Sequence, residues 1–165
     1  MQDRSWISDF LRRWSRKGYP LSEDDGFYAA LRSLQAESLK VPPAIIDRTE
    51  PVSETDALLL DLLRAWNIYV DGHTVPARQK VAAIGRQLRG RPEVWIFVGL
   101  IALASGNRGQ AWQALSRAQR LDNRNEPLRI LLGRFGERRA PVLPFLDRGN
   151  PLNVALGKVR ARVFS

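Results

Sequence analysis

The sequence has one histidine, His73, two residues after Asp71 and directly after Gly72. Imidazole beside a carboxylate is the smallest unit of acid–base chemistry, but it needs a nucleophile or a second base to work on, and no motif supplies one. Gly72 ends a helical pattern, so His73 reads as a solvated turn residue. Cysteine is absent, which excludes disulfides, thiolate zinc sites and thiol catalysis. Glu23, Asp24 and Asp25 form the densest acidic run, and they read as the first turn of a helix, where carboxylates meet the positive end of the dipole. Neither a glycine-rich phosphate loop nor a Gly-x-Ser-x-Gly elbow is present. The expectation is a protein that is not an enzyme, with no metal, no cofactor and no small-molecule substrate.

Cations are the other chemical resource. Lys and Arg total 26 against 17 acids, a formal charge of +9. The excess is graded along the chain, from 0 in residues 1–50 to +5 in residues 126–165. Only Lys17, Lys40, Lys80 and Lys158 are lysine, and arginine's planar fork suits carboxylate and phosphate better than a point charge does. Near the C-terminus Lys158, Arg160 and Arg162 share a predicted helix with the apolar stripe Leu152, Leu156, Val159 and Val163. Such a helix caps its neighbours, or contacts an anionic membrane or phosphates.

These groups are positioned by a chain of 165 residues, enough for one domain with a sizeable core. Helix signals dominate. Trp6, Phe10 and Trp14 recur every four residues after Ser5. Phe27, Leu31 and Leu34 share a face after a capping box at Ser22 and Asp25. A second box, Ser53 with Asp56, opens a long apolar helix that Gly72 closes. Pro76 and Pro92 fall in the first turns of the next two helices, where a missing N–H costs little. Further helices run from about Gly109 to Leu121, from Asn125 with Pro127, and from Asn150 with Pro151. This predicts an all-α chain of four hairpins: an N-terminal hairpin at 1–39, a proline-containing linker at 40–53, helical repeats at 54–136 and a basic segment with a capping helix at 137–165. The longest apolar run, residues 94–104, is too short for a bilayer, which needs ~20 residues. The N-terminal residues lack a signal-peptide core. A cytoplasmic location, with or without membrane association, is the expectation.

Residues 92–125 carry Trp95, Val98, Gly99, Ala102, Gly106, Ala111, Leu115, Ala118 and Leu121. In this order and spacing they resemble the signature of the tetratricopeptide repeat (TPR). Small residues at 99, 102, 111 and 118 let two antiparallel helices approach closely, and Gly106 tolerates the tight turn. A shift by one repeat length sets Gly72 on Gly106 and Ala77 on Ala111, so the preceding unit fits in part.

The resemblance implies a right-handed stack of antiparallel helix hairpins with capping helices at both ends. It also implies a concave groove lined by Leu59, Leu62, Trp66, Tyr69, Ile96, Leu100, Leu103, Ile130 and Arg134, with a basic rim of Arg129, Arg138 and Arg139. Two occupants suit so apolar a groove: the N-terminal helices with Trp6, Phe10 and Trp14, or an apolar segment of a partner. The expected function is a non-enzymatic adaptor or chaperone for a protein partner, acidic partners being favoured by the rim, within a bacterial assembly such as a secretion or envelope complex. In size and repeat content the chain is similar to single-domain TPR chaperones of bacterial secretion. The alternatives are an arginine-rich nucleic-acid binder and a peripheral membrane protein using a basic amphipathic helix.

Overall fold

A computed structural model describes residues 5–16 and 26–136. Contacts divide the chain into two compact units, Met1–Arg134 and Phe135–Ser165. Among the described residues the protein is all-helical: α1 (Ser5–Arg16), α2 (Gly26–Arg32), α3 (Pro43–Arg48), α4 (Glu54–Val70), α5 (Thr74–Gln87), α6 (Pro92–Ala104), α7 (Arg108–Leu121) and α8 (Glu126–Gly136). None of these helices is long and apolar enough to cross a membrane. The predicted Ser22 box, the acidic run at 23–25 and the helix expected after Asn150 lie outside the described residues.

Local chemistry accounts for most helix limits. Ser53 takes an extended backbone and its Oγ accepts the Asp56 N–H at 3.0 Å, so the predicted cap of α4 forms. Pro92 is the first residue of α6. Asn107 caps α7 by accepting the Gln110 N–H at 3.1 Å, and Asn125 Oδ1 accepts the Leu128 N–H at 3.0 Å in the first turn of α8. The segment read as a linker holds α3. Pro43 can open a helix because its ring presets φ and its absent N–H would be unbonded there. Ile46 then buries to 1% exposure and anchors the turn.

The connections recur from one hairpin to the next. Gly72 and Gly106 both adopt positive φ, +94° and +78°, the region in which a side chain is strained. Around the first, the N–H groups of Asp71, Gly72 and His73 donate to the carbonyls of Asn67, Tyr69 and Ile68. Around the second, Ser105, Gly106 and Asn107 donate to Ile101, Leu103 and Ala102, the same three pairs carried forward by the separation of the two glycines. The links between hairpins recur as well. Leu88 donates to Ile84 and Arg91 to Leu88, and then Asp122 donates to Ala118 and Asn125 to Asp122. Short turns of one geometry make α4 and α5 one hairpin and α6 and α7 another. The two hairpins meet through α5 against α6 and α4 against α6.

Within the second hairpin the helices touch closely. A Cβ added to Gly99 would stand 2.5 Å from Leu115 Cγ. The matching positions of the first hairpin hold Ala65 and Val81, both buried. One unit sets the smallest residue against leucine, the other a slightly larger residue against a smaller partner. The core thus keeps its volume across the two units.

Candidate functional site

Most residues predicted to line a groove are buried. Leu59, Leu62, Trp66, Ile96 and Leu100 are at most 1% exposed and Tyr69 is 6% exposed, while Leu103 is half-buried. The protein covers these residues itself: α4 packs on α5 and α2, α6 packs on α7, and the segment after α2 reaches Trp66. As surfaces for a partner they are closed. From the N-terminal helices, Trp14 and Phe27 reach Phe97, the ring that also meets Trp66.

Aromatic rings do most of the filling. Phe97 on α6 receives Trp14 from α1, Phe27 from α2 and Trp66 from α4, with ring centroids at 6.0, 6.4 and 5.5 Å and edge-to-face geometry. Trp14 also meets Tyr28 at 5.8 Å. Edge-to-face pairs contribute about 0.5–1.5 kcal/mol each beyond burial. One side chain therefore locks the N-terminal hairpin against both central hairpins.

Polar groups fix the position of that cover. Asp56, 3% exposed, accepts the Phe27 N–H at 2.9 Å and the Val52 N–H at 3.1 Å. Its carboxylate caps the start of α2 from across the fold. Gly26 makes room, since a Cβ there would stand 2.7 Å from Asp56 Oδ2. Tyr28 Oη donates to Glu93 Oε1 at 3.0 Å, and Arg91 grips both oxygens of the same carboxylate.

Past α2 the chain turns back, with the Gln35 N–H donating to the Lys40 carbonyl at 2.9 Å. Leu39 adopts φ +58° there, which costs a non-glycine residue about 1 kcal/mol or more. The strained turn aims the Leu39 carbonyl at Trp66, whose Nε1–H donates to it at 2.8 Å. Asn67 then treats Val41 as a neighbouring strand. Its Nδ2 donates to the Val41 carbonyl at 2.7 Å and its Oδ1 accepts the Val41 N–H at 3.1 Å. Lys40 pairs with Asp71 at the rim.

The remaining predicted residues fall elsewhere. Ile130 on α8 is 41% exposed and lies in an open apolar cleft between α1 and α8, with Trp6, Phe10, Pro127 and Leu131 as walls and Asp9 and Arg13 at its edge. Arg129 is exposed beside it. The side chain of Arg134 and all of Arg138, Arg139, Lys158, Arg160 and Arg162 lie outside the described residues. His73 is exposed in the turn before α5 and its side chain makes no capping bond. No group of three or more metal-ligating side chains occurs among the described residues.

Sequence reasoning did not reach Asp56 as a clamp on α2, or Asn67 as a clamp on the returning chain. Both contacts join residues far apart in the chain, and no local pattern encodes them. Nor does any local pattern mark Asp122. It is 7% exposed, and burial pushes its carboxyl above the usual aspartate range, opposed by hydrogen bonds from Asn125 and Arg124.

Compared with protein-family models, with curated proteins and with solved structures, the chain matches none.

Proposed function

We propose that this protein is a non-enzymatic adaptor or chaperone built on two TPR-like hairpins, and that it receives an apolar segment of a protein partner in the cleft between α1 and α8. The observation that carries the reading is the recurrence of the turn hydrogen bonds between residues 67–73 and 101–107. Their spacing is the period of TPR units, about 34 residues. Repeat stacks work chiefly as binding surfaces. With most of the predicted groove residues buried, the cleft around Ile130 between α1 and α8 is an apolar surface open to a partner. Trp6 and Phe10 from α1 and Leu131 from α8 can enclose one large side chain. Asp9 and Arg13 at its edge set one charge of each sign, which favours a segment carrying the complementary pair.

The test is affinity purification of the full chain from its own cells, run beside Ile130→Arg and Trp6→Ala. A partner retained by the wild type and lost from both variants, with unchanged melting temperatures, supports the reading. A partner retained equally by all three refutes the cleft as its seat.

A further inference from the structure

The stretch from α5 to the start of α8 has a charge pattern unlike the rest of the described chain. Residues 74–125 contain nine basic residues and two acids, Glu93 and Asp122. Both acids are buried, at 2% and 7% exposure. Every exposed charge of this stretch is an arginine: Arg78, Arg86, Arg89, Arg108, Arg117, Arg120 and Arg124.

The fold gathers these groups. On α5, Arg78, Ala82 and Arg86 follow at four-residue intervals and are all exposed. On α7 the corresponding positions hold Trp112, Ser116 and Arg120, of which Trp112 and Arg120 are exposed and Ser116 is half-buried. α5 and α7 are the second helices of successive hairpins. Arg78 Nη2 bridges them by donating to Gln110 Oε1 at 3.1 Å. At the other end Trp95 of α6 joins Arg89, past the end of α5, to Arg117 of α7. Its Nε1–H donates to the Arg89 carbonyl at 3.2 Å, and the Arg117 guanidinium lies 4.0 Å from its ring centroid. Trp112 leaves 46% of its surface in solvent within the α7 row.

We propose that the outer face of α5 and α7 binds single-stranded nucleic acid, with phosphates on Arg86, Arg89 and Arg120 and a base stacked on Trp112. The chemistry favours this occupant. A one-sign surface of arginines matches a phosphate chain, and guanidinium planes hold phosphate in two-point contacts. An exposed indole set among those arginines offers a stacking platform that only an unpaired base can use. A lipid surface would need more apolar area to enter the bilayer boundary than Val75, Trp112 and Leu121 provide among Gln79, Ala82, Ser116 and the arginines. The face is separate from the α1–α8 cleft, so the two proposals stand or fall independently.

The experiment uses the full chain and fluorescein-labelled 20-mers of deoxythymidine and uridine, titrated by anisotropy across a range of salt. Binding is expected at low salt, falling steeply as salt rises. In Arg86→Ala/Arg120→Ala the log–log salt slope should flatten by about 1.4, two contacts' worth for a single strand. Trp112→Ala should weaken binding roughly fivefold to a hundredfold. Circular dichroism must match the wild type for each variant. Failure of either oligonucleotide to bind at low salt overturns the proposal. So does binding that neither variant weakens, which would assign the affinity to other cations of the chain. Tighter binding of a duplex of equal length overturns the stacking role of Trp112. Flotation with anionic phosphatidylserine vesicles without oligonucleotide binding overturns the nucleic-acid assignment in favour of a membrane.

Discussion

Replacing Gly99 by alanine tests the account of the core most directly. The added methyl would meet Leu115 Cγ at 2.5 Å and Cδ2 at 2.6 Å, with the Ala111 carbonyl 3.5 Å away. Leu115 is fully buried, so it cannot swing clear into solvent. Overpacking of this kind costs about 1–3 kcal/mol. Alanine in place of a mid-helix glycine returns about 1 kcal/mol of helix propensity. The expected net loss is about 0–2 kcal/mol. Leu115→Val alone leaves a small void and should cost about 1 kcal/mol. The double variant installs the pair found one unit earlier, Ala65 with Val81. It should recover most of both losses, giving a coupling energy of about 1–3 kcal/mol. Urea unfolding of the four proteins measures this, and at this chain length each kcal/mol moves Tm by about 2–4 °C. Strict additivity, with the double variant worse than either single one, would refute the idea that the two hairpins solve one packing problem twice.

Other expectations concern the cover and the buried polar groups. Asp56→Ala leaves the Phe27 and Val52 N–H groups without their acceptor and should cost about 2–4 kcal/mol, read by denaturation, with faster hydrogen exchange at the start of α2. Trp66→Ala should destabilise by about 3–5 kcal/mol, whereas Ile130→Arg, at an exposed position, should leave Tm within about 2 °C. Asp122 governs a pH effect. Its folded carboxyl holds its proton to higher pH than the unfolded one, so the folded state binds more protons between the ordinary aspartate value and the raised one. Its contribution to stability falls as pH rises through that window and is flat above it. Asp122→Asn should therefore gain Tm relative to the wild type as pH rises from about 3 to 7, and a difference that shrinks over that interval would contradict the sign.

Much of the local structure was legible. The Ser53 box, the turns at Gly72 and Gly106 and the start of α6 at Pro92 each follow from one or two residues with a fixed steric role. The short α3 was not, because three prolines mask a brief helix that one buried isoleucine secures. The groove was legible as a set of apolar positions but not as a surface. Leu59, Trp66 and Leu100 carry the same hydrophobicity whether a partner or the protein itself covers them. What decides between the two is long-range: the Asp56 bond to α2, the Asn67 clamp on Val41 and the strained Leu39 turn. The basic face of α5 and α7 escaped notice for a related reason. Counting charges by segment spreads Arg86 and Arg120 over separate windows, and only the shift of one hairpin onto the next shows that they occupy equivalent exposed positions.

The hydrogen bonds that recur between residues 67–91 and 101–125 also describe a splice-ready cassette. Each cassette carries the same turn and link hydrogen bonds, so a copy inserted at a hairpin boundary would join through connections the molecule already uses. Evolution or an engineer could lengthen this molecule by whole cassettes. A longer stack would still have only α1 and α2 as its internal cover, and their Trp14 and Phe27 already pack on Phe97.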